Sequence, residues 1–152
     1  MSVFALFTWF VTVFAGLYLL AIWLIEYDIG APGGGFSRLP RTVIGGHVLL
    51  AASGLAAWVG YLIVDRDMLA WVALAILVAV VLLGLTMLGR WIVMRRALGA
   101  ALRARPRDVF ARSRVAAPAE SHFPVPVVVA HGVLAFSTIT VVLLTVLGVG
   151  GR

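Results

Sequence analysis

The chain of 152 residues contains no cysteine. Disulfides, iron–sulfur ligation, thiolate metal sites and cysteine nucleophiles are therefore excluded. Lysine is absent as well, so all 12 basic residues are arginine, and only six residues are acidic. Charged residues make up 12% of the chain, against about 25% in an average soluble domain. A water-soluble fold of this size could not cover the apolar surface that so few charges leave.

The chain is predominantly apolar: 63% of its residues are hydrophobic, and the mean hydropathy is +1.12. Four stretches lack any charged residue, and each has the roughly 20 residues that a helix needs to cross a hydrocarbon core of about 30 Å. A helix also satisfies its own backbone in lipid. The first stretch is expected to be a membrane span and not a signal peptide, because no Lys or Arg precedes it. The stretches are 3–25, 42–64, 68–89 and 123–151.

These stretches predict an all-α fold, an integral membrane four-helix bundle in one transmembrane domain, 1–152. The helices are expected at about 3–26, 41–64, 68–95 and 123–149, with an Arg-rich cytoplasmic loop at 96–120. A polar continuation of the third helix is expected as far as about residue 104, because Pro106 should end it. The expected location is the cell membrane, as a multi-pass protein.

The distribution of arginine predicts the orientation. Ten of the 12 arginines lie in the loop between helices 1 and 2 and in the segment after helix 3, and only Arg66 and Arg152 lie on the other side. By the positive-inside rule, both termini are predicted outside and the Arg-rich loop in the cytoplasm. Anionic lipids are the expected partners of that loop, and nucleic acid is not expected, because the arginines lie between apolar spans.

Two segments 84 positions apart share the pattern S-x-[LF]-P-x6-H-x-x-L-A-x-S, which starts at Ser37 and at Ser121. Proline suits the first position of a helix, and the histidine then lies about 10 Å along that helix. The pattern predicts that helices 2 and 4 form a parallel internal repeat. His47 and His131 are then at equal depth in the membrane. The repeat is not expected to extend to helices 1 and 3.

An ionisable side chain within a membrane span suggests a functional site. Both imidazoles are expected to be neutral in the membrane, and a neutral imidazole is a good metal ligand. His47 and His131 on two helices of a four-span chain resemble the paired axial histidines of membrane b-type cytochromes. The resemblance implies a haem b with these two histidines on its iron, and Arg38, Arg41 and Arg90 as cations for its propionates. It also implies a subunit of a membrane redox system, without independent catalytic activity.

Two other functions stay open at this point. One histidine could bond the carbonyl of a quinone. Alternatively, the chain could be an accessory or assembly subunit of a larger membrane complex, with no cofactor and with both histidines bonded to neighbouring protein groups. Proton-coupled transport is disfavoured because the four uncharged stretches contain no Asp or Glu, and Glu26 and Asp28 are expected at the end of helix 1 and not midway along it. No hydrolase, P-loop or metalloprotease motif is present. His122 is expected to be exposed at the membrane interface.

The predicted orientation can be tested directly, because the cysteine-free chain is an unreactive background. Arg66→Cys is expected to react with a membrane-impermeant maleimide added to intact spheroplasts, whereas Arg103→Cys should react only after permeabilisation. The opposite labelling pattern would reverse the orientation.

Overall fold

The computed structural model describes residues 1–27, 37–103 and 118–149. It contains four long helices, α1 (Ser2–Tyr27), α2 (Arg41–Val64), α3 (Asp67–Arg103) and α4 (Val125–Val146). A short 3-10 helix, Ala119–His122, precedes α4. All four long helices are long and apolar enough to span a membrane. The predicted all-α fold with four spans is confirmed, and the chain is a small multi-pass membrane protein.

Local sequence explains where α2 begins and ends. Pro40 is extended just before α2, and its carbonyl accepts the amide of Ile44 as the first helical bond. Proline has no amide hydrogen to leave unpaired there. At the other end Asp65 adopts a left-handed conformation (φ 52°), and its amide donates to the Tyr61 carbonyl. Asp tolerates this conformation better than most residues, so α2 and α3 form a tight antiparallel hairpin.

Helix α3 is longer than a membrane span. Its 37 residues extend over about 55 Å at ~1.5 Å per residue, whereas a bilayer core is about 30 Å thick. The helix therefore continues past the apolar stretch and carries Arg90, Arg95, Arg96 and Arg103. Residues 96–103 are thus helical, as the predicted polar continuation requires. Pro106, the other arginines of the predicted loop before residue 118, and residues 28–36 lie outside the described residues.

The helices pack in a ring in which α1 contacts α2, α2 contacts α3, α3 contacts α4 and α4 contacts α1. Helices α2 and α4 therefore occupy opposite corners of the bundle, and so do α1 and α3. The interface of α2 with α3 and that of α4 with α1 are the most extensive. Large apolar side chains such as Phe7, Phe14 and Phe136 are exposed on the outside, as expected of a surface that faces lipid.

The segments before α2 and α4 are joined by a buried carboxylate. Glu120 is fully buried, and its two oxygens accept hydrogen bonds from the Ser37 hydroxyl and the Arg38 amide, both at 2.8 Å. Two indoles complete this Glu120 clasp: Trp23 donates to the Ser37 hydroxyl at 3.0 Å, and Trp91 donates to the Glu120 carbonyl at 3.1 Å. Because the clasp joins the two segments, α2 and α4 begin at the same end of the bundle.

Loss of the clasp should destabilise the bundle. Glu120→Ala leaves the Ser37 hydroxyl and the Arg38 amide without their acceptor, and we expect a loss of about 2–4 kcal/mol in the free energy of unfolding. The control is Glu26→Ala, which removes an exposed carboxylate 3.4 Å from His122 and should cost less than about 1 kcal/mol. Unfolding in detergent micelles measures both, and equal effects would contradict a structural role for Glu120.

Candidate functional site

The bundle brings His47 of α2 and His131 of α4 together. The centres of the two imidazole rings are 6.4 Å apart, and the ring planes are inclined at 66°. Both side chains are partly buried. The two helices lie at opposite corners, so the rings meet across the centre of the bundle. Equal spacing from Pro40 and Pro124 places them at the same depth.

Each ring is held by a backbone carbonyl of a neighbouring helix. His47 Nδ1 is 3.1 Å from the Val80 carbonyl of α3, and His131 Nδ1 is 3.1 Å from the Thr12 carbonyl of α1. A carbonyl can only accept, so Nδ1 must carry the proton in both rings. In the neutral imidazole Nε2 then keeps a free lone pair. The two bonds therefore select the same tautomer in both rings.

Glycine lies under each ring, one turn beyond the carbonyl that holds it. A Cβ atom on Gly16 of α1 would be 3.0 Å from His131 Cε1. A Cβ atom on Gly84 of α3 would be 3.3 Å from His47 Cε1. Small residues let membrane helices approach closely, and here they let each imidazole lie directly on the neighbouring helix.

These contacts correct one expectation from the sequence, that the repeat stops at helices 2 and 4. Thr12 and Gly16 have the same spacing as Val80 and Gly84, at an offset of 68 positions. Helices α1 and α3 share the pattern A-L-x6-V-x2-G-L-x2-L-x2-W at this offset. The offset between α2 and α4 is 84, so 16 more residues separate the two patterns in the second half than in the first. No single offset aligns both helix pairs.

The correspondence includes the packing. The first alanine of the shared pattern is fully buried in both helices, as Ala5 and as Ala73. Its last residue is Trp23 or Trp91, and both indoles donate hydrogen bonds within the Glu120 clasp. The bundle thus has two similar halves, α1–α2 and α3–α4. The histidine of each half bonds the first helix of the other half.

The three arginines named from the sequence lie at the end of the bundle where α2 begins. The Arg41 guanidinium bonds the Tyr27 hydroxyl and lies over its ring, 4.6 Å from the centroid. Arg90 donates to the Arg38 carbonyl at 3.0 Å. Arg41 is six residues before His47 on α2, and Arg90 is six residues after Gly84 on α3. Both arginines are therefore about 9 Å along their helices from the level of the histidine pair.

Sequence reasoning missed the groups that hold the rings. The carbonyls of Thr12 and Val80 carry no side-chain signal, and Gly16 and Gly84 are inconspicuous among apolar residues. The sequence pattern shared by α1 and α3 could have identified the two glycines as corresponding positions. His122 is exposed, as expected, and its Nδ1 is 3.4 Å from a Glu26 carboxylate oxygen, so it takes no part in the pair.

Comparison of the chain with protein-family models, curated proteins and solved structures finds no match. Function is therefore argued from the site itself.

The contact between each glycine and the opposing ring can be tested by adding one methyl group. We expect Gly16→Ala to lower the free energy of unfolding by about 1–3 kcal/mol, because the ring must leave its carbonyl, and Gly84→Ala to cost less. Gly132→Ala is the control, since a Cβ there meets nothing within 4 Å. Thermal unfolding in detergent should rank the three variants in that order. A Gly132→Ala effect as large as that of Gly16→Ala would contradict the proposed contact.

Proposed function

We propose that this chain is a haem b-binding subunit of a membrane redox system, in which His47 and His131 are the two axial ligands of one haem iron. The separation of 6.4 Å between the ring centres carries the proposal. With metal–nitrogen bonds of about 2 Å, two imidazoles on opposite sides of one metal have ring centres about 6–6.5 Å apart. Edge-to-face ring pairs also have centres about 4.5–7 Å apart, so the hydrogen bonds of the rings are needed as well to favour ligation.

The hydrogen bonds of the two rings also suit ligation. Histidines that bind metals almost always donate their other ring nitrogen to a carbonyl, a carboxylate or water, which fixes the tautomer and makes the ligand more basic. His47 and His131 both donate from Nδ1 to a backbone carbonyl. Nε2 is then the nitrogen available to the iron in both rings.

The number of ligands favours haem over a bare metal ion. Within the described residues, no group of three or more His, Cys, Asp or Glu side chains could hold a metal. Two imidazoles complete the shell of an iron that already has four macrocycle nitrogens, as in cytochromes with two axial ligands. A structural zinc site would need four protein ligands.

The glycines would support the ligands and not the haem itself. The space that a Cβ would take on Gly16 or Gly84 is filled by the imidazole of His131 or His47. The two glycines therefore position the rings that would bind the iron, as groups around a metal site commonly orient its ligands.

Arg38 and Arg90, which meet at the same end of the bundle, are the cations that we assign to the propionates. Arg41 lines the groove between α1 and α2, which Arg38 and Arg90 do not line, so we do not assign it to a propionate. A bound haem would supply one-electron transfer. The chain's own residues hold the two imidazoles at a fixed separation and in one tautomer, within an apolar bundle.

One observation favours the alternative, an accessory subunit without a cofactor. Both histidines already bond a carbonyl of another helix. Such bonds within a membrane are each worth about 1 kcal/mol, and they would tie the two halves of the bundle together without any ligand. In that function the rings are structural, and Nε2 binds no cofactor.

A reduced-minus-oxidised visible spectrum of the purified protein distinguishes the two functions. From cells supplied with haem we expect Soret and α bands of a six-coordinate b-type haem, at one haem per chain. His47→Ala and His131→Ala should each abolish the six-coordinate spectrum. His122→Ala is the matched control and should leave it unchanged, because that side chain is exposed and lies outside the pair.

A wild-type protein without haem bands, from haem-replete cells, would overturn the proposal in favour of the accessory subunit. Bands that persist in both His47→Ala and His131→Ala would place the haem elsewhere.

A further inference from the structure

An open groove of about 320 Å³ lies between α1 and α2, toward the end of the bundle that holds the Glu120 clasp. Its floor is formed by the buried side chains of Trp23 and Ile44, and its rims by the exposed Leu24 and Leu49. Neither histidine of the pair lines it. Its walls belong to two membrane spans, so the groove opens into the hydrocarbon of the bilayer.

Two of the residues that line the groove differ at the corresponding positions of the second half of the bundle. Gly45 lies in its middle and Arg41 at its end. A Cβ on Gly45 would meet nothing within 4 Å, so this position is open space. At the offset of 84 positions, the second half has Val129 in place of Gly45 and Val125 in place of Arg41. At these two positions the first half therefore has a glycine and a cation, where the second half has two valines.

The polarity of the groove indicates the class of ligand. Arg41 is exposed, and the Tyr27 hydroxyl holds its guanidinium. The other lining residues are apolar or, at Gly45, have no side chain. A quinone offers neutral carbonyl acceptors and no anionic group to pair with the guanidinium. A phospholipid needs donors only at its phosphate, and a guanidinium is well suited to phosphate.

The length of the groove agrees with this class. From Arg41 to Leu49 it follows α2 for about 12 Å, and one leaflet of the hydrocarbon core is about 15 Å thick. Arg41 is the first residue of α2, so it stands at the end of the span, where lipid headgroups lie. The groove runs from there toward the centre of the membrane.

We propose that this groove binds one anionic phospholipid, with the phosphate on Arg41 and an acyl chain lying over Gly45 between the rims. The site is independent of the histidine pair and does not depend on haem binding. Annular lipids exchange without preference at most of a protein's surface, whereas a lipid held at this site should be retained and should be selected by its charge.

Native mass spectrometry of the detergent-purified full chain tests the site, with phosphatidylglycerol and phosphatidylcholine added in turn. The wild type is expected to hold one phosphatidylglycerol at least about tenfold more tightly than phosphatidylcholine. Gly45→Val introduces the residue of the second half and should weaken phosphatidylglycerol binding about tenfold. Val129→Gly, the matched control in the second half, should leave binding unchanged.

Arg41→Gln distinguishes the contribution of the lipid headgroup from that of the acyl chain. It should make the affinities for phosphatidylglycerol and phosphatidylcholine similar, because the charge is lost while the apolar groove stays intact. If Gly45→Val does not fold, Arg41→Gln alone tests whether the groove selects an anionic phospholipid. Equal affinities in the wild type, undiminished binding by a folded Gly45→Val, or an isoprenoid quinone retained in place of phospholipid would overturn the proposal.

Discussion

A polar group inside a bilayer has no water to bond, so it must find its partner within the protein. In this chain the constraint falls on two imidazoles, and each meets it with a carbonyl of a neighbouring helix. The bonds are reciprocal: His47 of the first half bonds α3 of the second, and His131 of the second half bonds α1 of the first. The two halves are thereby joined at the centre of the bundle, and one tautomer is selected in both rings.

Other features of the structure support this arrangement. The Glu120 clasp joins the segments before α2 and α4, and equal spacing from proline to histidine then brings both rings to one depth. Glycine under each ring allows the close approach that a carbonyl bond requires. The symmetry is incomplete where Gly45 and Arg41 replace the two valines of the second half. The histidine pair, to which both halves contribute, and the groove beside Gly45 and Arg41, which lies in the first half, are therefore separate features of the bundle.

Much of the fold could be predicted from the sequence because its signals are local. Uncharged stretches give the four spans, and Pro40 and Pro124 mark where two of them begin. The histidine pair was also accessible, since a polar residue in an apolar run is conspicuous. Glu120 was not, because a carboxylate beside an Arg-rich segment suggests exposure to water, and its partner Ser37 is 83 positions away. Gly16 and Gly84 were missed because the connections of the two halves differ in length.

The most direct test of the central proposal is the electron paramagnetic resonance spectrum of the oxidised, purified protein. Two imidazoles on one ferric iron give a low-spin signal, and its shape depends on the angle between the ring planes. The planes of His47 and His131 are inclined at 66°, so we predict the strongly anisotropic low-spin signal of steeply inclined imidazoles. A high-spin ferric signal, or no ferric haem signal in protein from haem-replete cells, would contradict the assignment of both histidines to one iron.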